Sequence, residues 1–124
     1  MQRILPLGRY LFPLSFLLYV ALHFGKPAVG ASFVPAWLPA PLFWNYLTGV
    51  LILAFIVSCL IRKFDKLAAL LMAVYVLLII FMVHLPRAAH SENDALNIFR
   101  NLMIVGALLI YAQWVATDKR VVGQ

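Results

Sequence analysis

His23, Asn45, His84 and Arg100 carry most of the chemistry in an otherwise apolar chain, and each falls at the end of an apolar run. Around them the spacing is regular. Ser15, Tyr19 and His23 are four apart, so they stack on one helical face. Asn45, Thr48 and Gly49 follow the i, i+3, i+4 pattern, and so do Asn97, Arg100 and Asn101. Ionisable and polar side chains inside a membrane are costly and turn toward the protein interior. One polar group from each of four helices predicts a shared pocket at one membrane boundary.

Several chemistries compete for such a pocket. Imidazole is a common haem ligand, but the chain has neither a second histidine pair nor a haem-attachment motif. Zinc asks for three or four ligands; His23 and His84 supply two, with His90 in the adjacent loop as a third candidate, so no metal site is assigned. No serine sits in a nucleophile elbow, and Glu92 and Asp94 read as helix-start charges, not as partners that orient a histidine. Apolar walls with a few converging polar groups suit a lipophilic molecule with a polar head. A quinone fits, its carbonyls meeting His23, His84 or Arg100, and a lipid headgroup fits nearly as well. Simple interfacial anchoring is the plain alternative, with Arg100 snorkelling to the headgroups.

The elements that must hold these residues are four apolar runs, roughly Leu7 to Phe24, Leu42 to Ile61, Leu67 to His84 and Ile98 to Ala116. Each has about 18–20 residues, enough to cross a hydrocarbon core of about 30 Å as a helix. Of the 124 residues 65% are hydrophobic and 11% charged, and the mean hydropathy is +0.99. A soluble domain, with about a quarter of its residues charged, is excluded. The fold expected is an all-α membrane protein, one four-helix bundle over residues 1–124 with a Pro/Trp-rich interfacial segment between helices one and two. That segment, from Phe33 to Trp44, holds Pro35, Pro39 and Pro41, which forbid a regular helix interior. Trp37 and Trp44 would lie at headgroup depth and roof the pocket.

The net charge of +6 does not indicate nucleic acid, because the basic residues cluster at run ends instead of forming a stripe. Arg3, Arg9, Arg62, Lys63, Lys66, Lys119 and Arg120 fall on one side of a four-span chain, and Lys26, Arg87 and Arg100 on the other. The positive-inside rule places the larger group, and with it both termini, in the cytoplasm. Arg3 and Arg9, the first run and Ala28-Val29-Gly30 resemble a cleavable secretory signal, but Lys26 and Pro27 directly precede the small residues, and the run is expected to stay as a span. Asp65 reads as an N-cap for helix three, and Asp118 to Gln124 as a solvated tail. Cys59, a single thiol in an apolar run, reads as a small buried hydrophobe.

The chain resembles the DoxX family of small four-helix membrane proteins. The resemblance rests on Arg9, His23-Phe24 with a nearby proline, Val34-Pro35-Ala36-Trp37-Leu38-Pro39, Thr48-Gly49, Val83-His84-Leu85-Pro86 and the stretch Asn101 to Leu109. Many members carry a glutamate soon after the Thr-Gly pair; this chain has Val50-Leu51-Ile52-Leu53, so no role needing that carboxylate carries over. The resemblance implies a bacterial inner-membrane location and links to membrane redox complexes, including quinone-linked thiosulfate oxidation and oxidative-stress assemblies. More distant relatives look like chaperones or sterol-binding proteins. The leading expectation is an accessory subunit, not an enzyme on its own, that holds a quinone-like or lipid-like molecule at His23, Asn45, His84 and Arg100 with Tyr19, Trp37, Thr48, Asn97 and Asn101. A redox partner protein would dock on it, and Ala54 and Ser58 offer a face for self-association. The rivals are an oxidoreductase subunit using His23 and His84 in proton or electron transfer, and a structural or assembly protein with no ligand.

Overall fold

With no water in a hydrocarbon core, each apolar run must satisfy its own backbone hydrogen bonds, and each does so as helix. The computed structural model describes residues 2–118. The elements are α1 (Leu5–Gly25), a short α2 (Pro27–Ala31), α3 (Pro41–Ile61), α4 (Asp65–Arg87) and α5 (Glu92–Val115). Among the described residues there is no strand. All but α2 are long and apolar enough to cross a membrane. The protein is an all-α membrane bundle.

Most departures from four plain helices trace to proline; the π turn over Tyr111–Val115 at the end of α5 has none near it. The first helix is not the continuous one that the apolar run from Leu7 to Phe24 suggests. Its first turn, Leu5–Leu7, is 3-10, and it tightens again at Phe16, whose N–H donates to the Pro13 carbonyl at 3.1 Å. Pro13, inside the helix and buried, supplies no N–H and crowds the carbonyl four residues back. In α4 the residues Ile80–His84 form a π turn immediately before Pro86, with the Leu85 N–H donating to the Ile80 carbonyl. Pro86 would clash with the Met82 carbonyl in a regular helix, and the wider turn relieves this. Pro41 stands at the start of α3, where a missing N–H costs nothing. Just before it, Ala40 takes a left-handed φ of 54°.

The fourth span begins at Glu92, six residues before the expected Ile98. Ser91 is its N-cap, its Oγ accepting from the Asp94 N–H at 3.3 Å. Asp65 is not the N-cap of α4. Phe64 holds that position at φ 55°, and the fully buried Asp65 carboxylate accepts from the N–H of Thr117 at 2.9 Å and of Asp118 at 2.8 Å. Asp118 is likewise not part of a solvated tail, since its carboxylate accepts from the Phe64 N–H at 2.7 Å. These bonds clasp the end of α5 to the start of α4. Lys119, Arg120 and the remainder of the expected tail lie outside the described residues.

In the bundle α1 packs on α3, α3 on α4 and α4 on α5, while Phe12 of α1 meets Tyr111 of α5 with ring centroids 6.0 Å apart. The core is built from Phe16, Ile52, Phe55 and Ile56 on one side and Ala69, Met72, Ala73, Val105 and Leu108 on the other. Cys59 is buried among them as a free thiol. Outward, Leu18, Val50, Phe81 and Met103, one from each span, are more than half exposed. Such a coat is stable only against lipid.

Candidate functional site

The ends of α1 and α4 and the starts of α3 and α5 meet at one end of the bundle, the histidine end. Two polar pairs form there. In the first, Asn45 is buried and its Nδ2 donates to the backbone carbonyl of His23 at 2.8 Å. Asn45 thus ties α3 to the last turn of α1 without touching the imidazole. His23 turns back on its own helix, its Nδ1 lying 2.6 Å from the Tyr19 carbonyl. A carbonyl only accepts, so Nδ1 carries the proton. Gly49 makes this approach possible: a Cβ there would lie 2.9 Å from a Phe24 ring carbon and 3.1 Å from the His23 Cβ.

The second pair is His84 and Asp94. Nδ1 of His84 donates to Asp94 Oδ1 at 2.8 Å, and both residues are 8% exposed. The π turn ends on His84, and Asp94 sits in the first turn of α5, where its own N–H is held by Ser91. A carboxylate on Nδ1 fixes the tautomer and leaves Nε2 as the exchangeable position. Nε2 has no hydrogen-bond partner among the described residues. Phe33 packs edge-on to the imidazole with centroids 6.3 Å apart. Arg87 stands 5.4 Å above the Phe33 ring and donates to the Ser32 carbonyl at 3.0 Å. This bond fastens the proline-rich segment to the end of α4.

The nine residues expected at the site therefore divide. His23 and Asn45 are joined, with Tyr19 supplying a backbone carbonyl while its ring is exposed. Thr48 faces α4, its Oγ1 accepting from the Tyr75 hydroxyl at 3.2 Å. Trp37 is 72% exposed and roofs nothing; Phe33 covers His84 in its place. Trp44 is tied to its own segment, its Nε1–H donating to the Pro39 carbonyl at 2.9 Å. Because α5 starts early, Asn97, Arg100 and Asn101 lie one to three turns inside it. Arg100 is exposed, and no hydrogen bond among the described residues joins those three to His23, Asn45 or His84.

The sequence reading that no acid orients a histidine is corrected by Asp94. A carboxylate in the first turn of a helix serves the helix dipole wherever it points, so its type and position gave no sign of His84. Phe33 and Arg87 were equally hidden, since their roles depend on how the proline-rich segment folds back. Among the described residues no group of three or more histidines, cysteines or carboxylates is placed to hold a metal ion.

Comparison of the chain with protein-family models, with curated proteins and with solved structures finds no match in any of the three.

Proposed function

We propose that this protein is a DoxX-like binding subunit of the bacterial inner membrane, with both termini cytoplasmic, that holds the polar head of a quinone-like or lipid-like molecule against His84. The observation that supports this reading is the buried His84–Asp94 pair with its second ring nitrogen unpartnered. With Nδ1–H bound to the carboxylate, a neutral imidazole presents Nε2 as an acceptor for a hydroxyl, such as that of a quinol. Once protonated, the same nitrogen donates to a carbonyl, such as that of a quinone. Asp94 supports both forms, because it accepts from Nδ1 in either. Phe33 offers an aromatic face beside the head. The same pair favours, as a second reading, an oxidoreductase subunit in which His84 takes up or releases the proton that accompanies quinone chemistry. Arg100, Trp37, Asn97 and Asn101 have no part in either reading.

The test is the content of molecules that co-purify from native membranes in mild detergent, by mass and absorbance, for wild type, His84→Ala and Arg100→Ala. Wild type and Arg100→Ala should retain a stoichiometric quinone or defined lipid, and His84→Ala should lose most of it, a larger effect than the fall in melting temperature that follows from leaving Asp94 buried without its partner. Equal retention in His84→Ala, or no retained molecule in wild type, would move the protein to a structural or assembly role.

A further inference from the structure

A second feature lies at the opposite end of the bundle, where α1 and α5 part beyond the Phe12–Tyr111 contact. Phe12 on α1 faces Ala107, Ile110 and Tyr111 on α5 across a shallow, open apolar groove of about 240 Å³. Its mouth is formed by Gly8 and Arg9. A Cβ placed on Gly8 would meet nothing within 4 Å, so the mouth is open space.

The charge at this mouth is positive and largely uncommitted. Arg9 is half-buried, lies 5.8 Å from the Tyr10 ring, and donates to the Val115 carbonyl at the long distance of 3.5 Å. A guanidinium has five N–H donors, so most of its capacity is unused. The first turns of α1 contain no acidic residue, leaving the positive end of that helix uncompensated. The two carboxylates at this end of the bundle are engaged elsewhere: Asp65 with Thr117 and Asp118, and Asp118 with the Phe64 N–H.

A hydrocarbon-lined groove that ends in a guanidinium suits a lipid whose headgroup is net negative, because the quaternary ammonium of a zwitterionic lipid would add a second cation beside Arg9. We propose that this groove binds an anionic phospholipid, its phosphate on Arg9 at the start of α1 and one acyl chain along Phe12, Ala107, Ile110 and Tyr111. Arginine pairs with a phosphate through two parallel N–H bonds, and the α1 terminus adds its dipole. The bound lipid would span the seam between the first and last helices.

The experiment uses the full chain in mild detergent, with dioleoyl phosphatidylglycerol and dioleoyl phosphatidylcholine supplied at equal concentration and retained lipid counted by native mass spectrometry. Wild type should prefer phosphatidylglycerol by about tenfold, the ratio for roughly one charge-assisted bond. Arg9→Gln should abolish the preference. Ala107→Trp, which fills the groove and keeps Arg9, should lower retention of both lipids. Arg62→Gln, whose guanidinium is bound to the Tyr10 hydroxyl at 2.6 Å outside the groove, should behave as wild type. An unchanged preference in Arg9→Gln, an equal loss in Arg62→Gln, or full competition by glycerol phosphate alone would overturn the site.

Discussion

At the scale of residues, the histidine end depends on a few close approaches. Asn45 Oδ1 is buried with no hydrogen-bond donor and rests against Gly30 of α2. A Cβ on Gly30 would overlap that oxygen and stand 2.9 Å from the Asn45 Cγ. Gly30→Ala is therefore expected to cost about 1–3 kcal/mol, the usual range for overpacking a closed site, and to weaken the bond from Asn45 to the His23 carbonyl. A melting curve in detergent reads the loss; a melting temperature equal to wild type would show that α2 can shift freely. His84 is different, because its role in the proposed function lies in an unused nitrogen and not in packing.

Whether that nitrogen is presented at all is decided at the scale of elements. The π turn over Ile80–His84 sets where His84 points, and Pro86 is the residue that makes it necessary. Pro86→Ala lets α4 close into a regular helix. Removing the one extra residue of a π turn rotates the remainder of the helix by about 100°, which would carry His84 off Asp94. The expected result is loss of the Nδ1–carboxylate signature in the imidazole nitrogen NMR shifts, together with lower retention of the co-purifying molecule. Unchanged shifts would mean that the Asp94 bond itself holds the turn open. Pro13 acts on α1 in the opposite sense, with a tightened turn at Phe16, and the Phe16 ring there meets Phe55 with centroids 5.1 Å apart.

For the whole molecule, coat and core are both apolar. Large aliphatic side chains cover the outside, while Ala69, Ala73 and Ala112 let the helices approach inside, as expected where lipid replaces water as the solvent. The two ends are closed by polar bonds of opposite kinds. At one, His84 and Asp94 join α4 to α5; at the other, Asp65 holds the backbone of Thr117 and Asp118. The proposed orientation makes this second end cytoplasmic. A reporter fused after Gln124 should accordingly be active only in the cytoplasm, and activity on the far side alone would invert the bundle.

Four spans and the all-α class were legible from the sequence because they depend on one-dimensional quantities. The length of each apolar run against the thickness of a bilayer, and the obligation of a lipid-exposed backbone to bond within itself, leave helix as the only local answer. Glu92 and Asp94 were equally readable as helix-start charges, since a first-turn carboxylate acts on its own helix terminus. The pairing of polar residues was not. Asn45 and His23 share an end by topology, yet Asn45 meets a carbonyl and not the ring. Asp94 looked like any first-turn carboxylate, and Asp65 like any cap, until the register of α5 against α4 placed one beside His84 and the other beside Thr117. That register is set by side-chain packing and by the π turns at Ile80 and Tyr111. An extra residue in a helix turns everything after it by about 100°, and only the folded bundle decides which way it is turned.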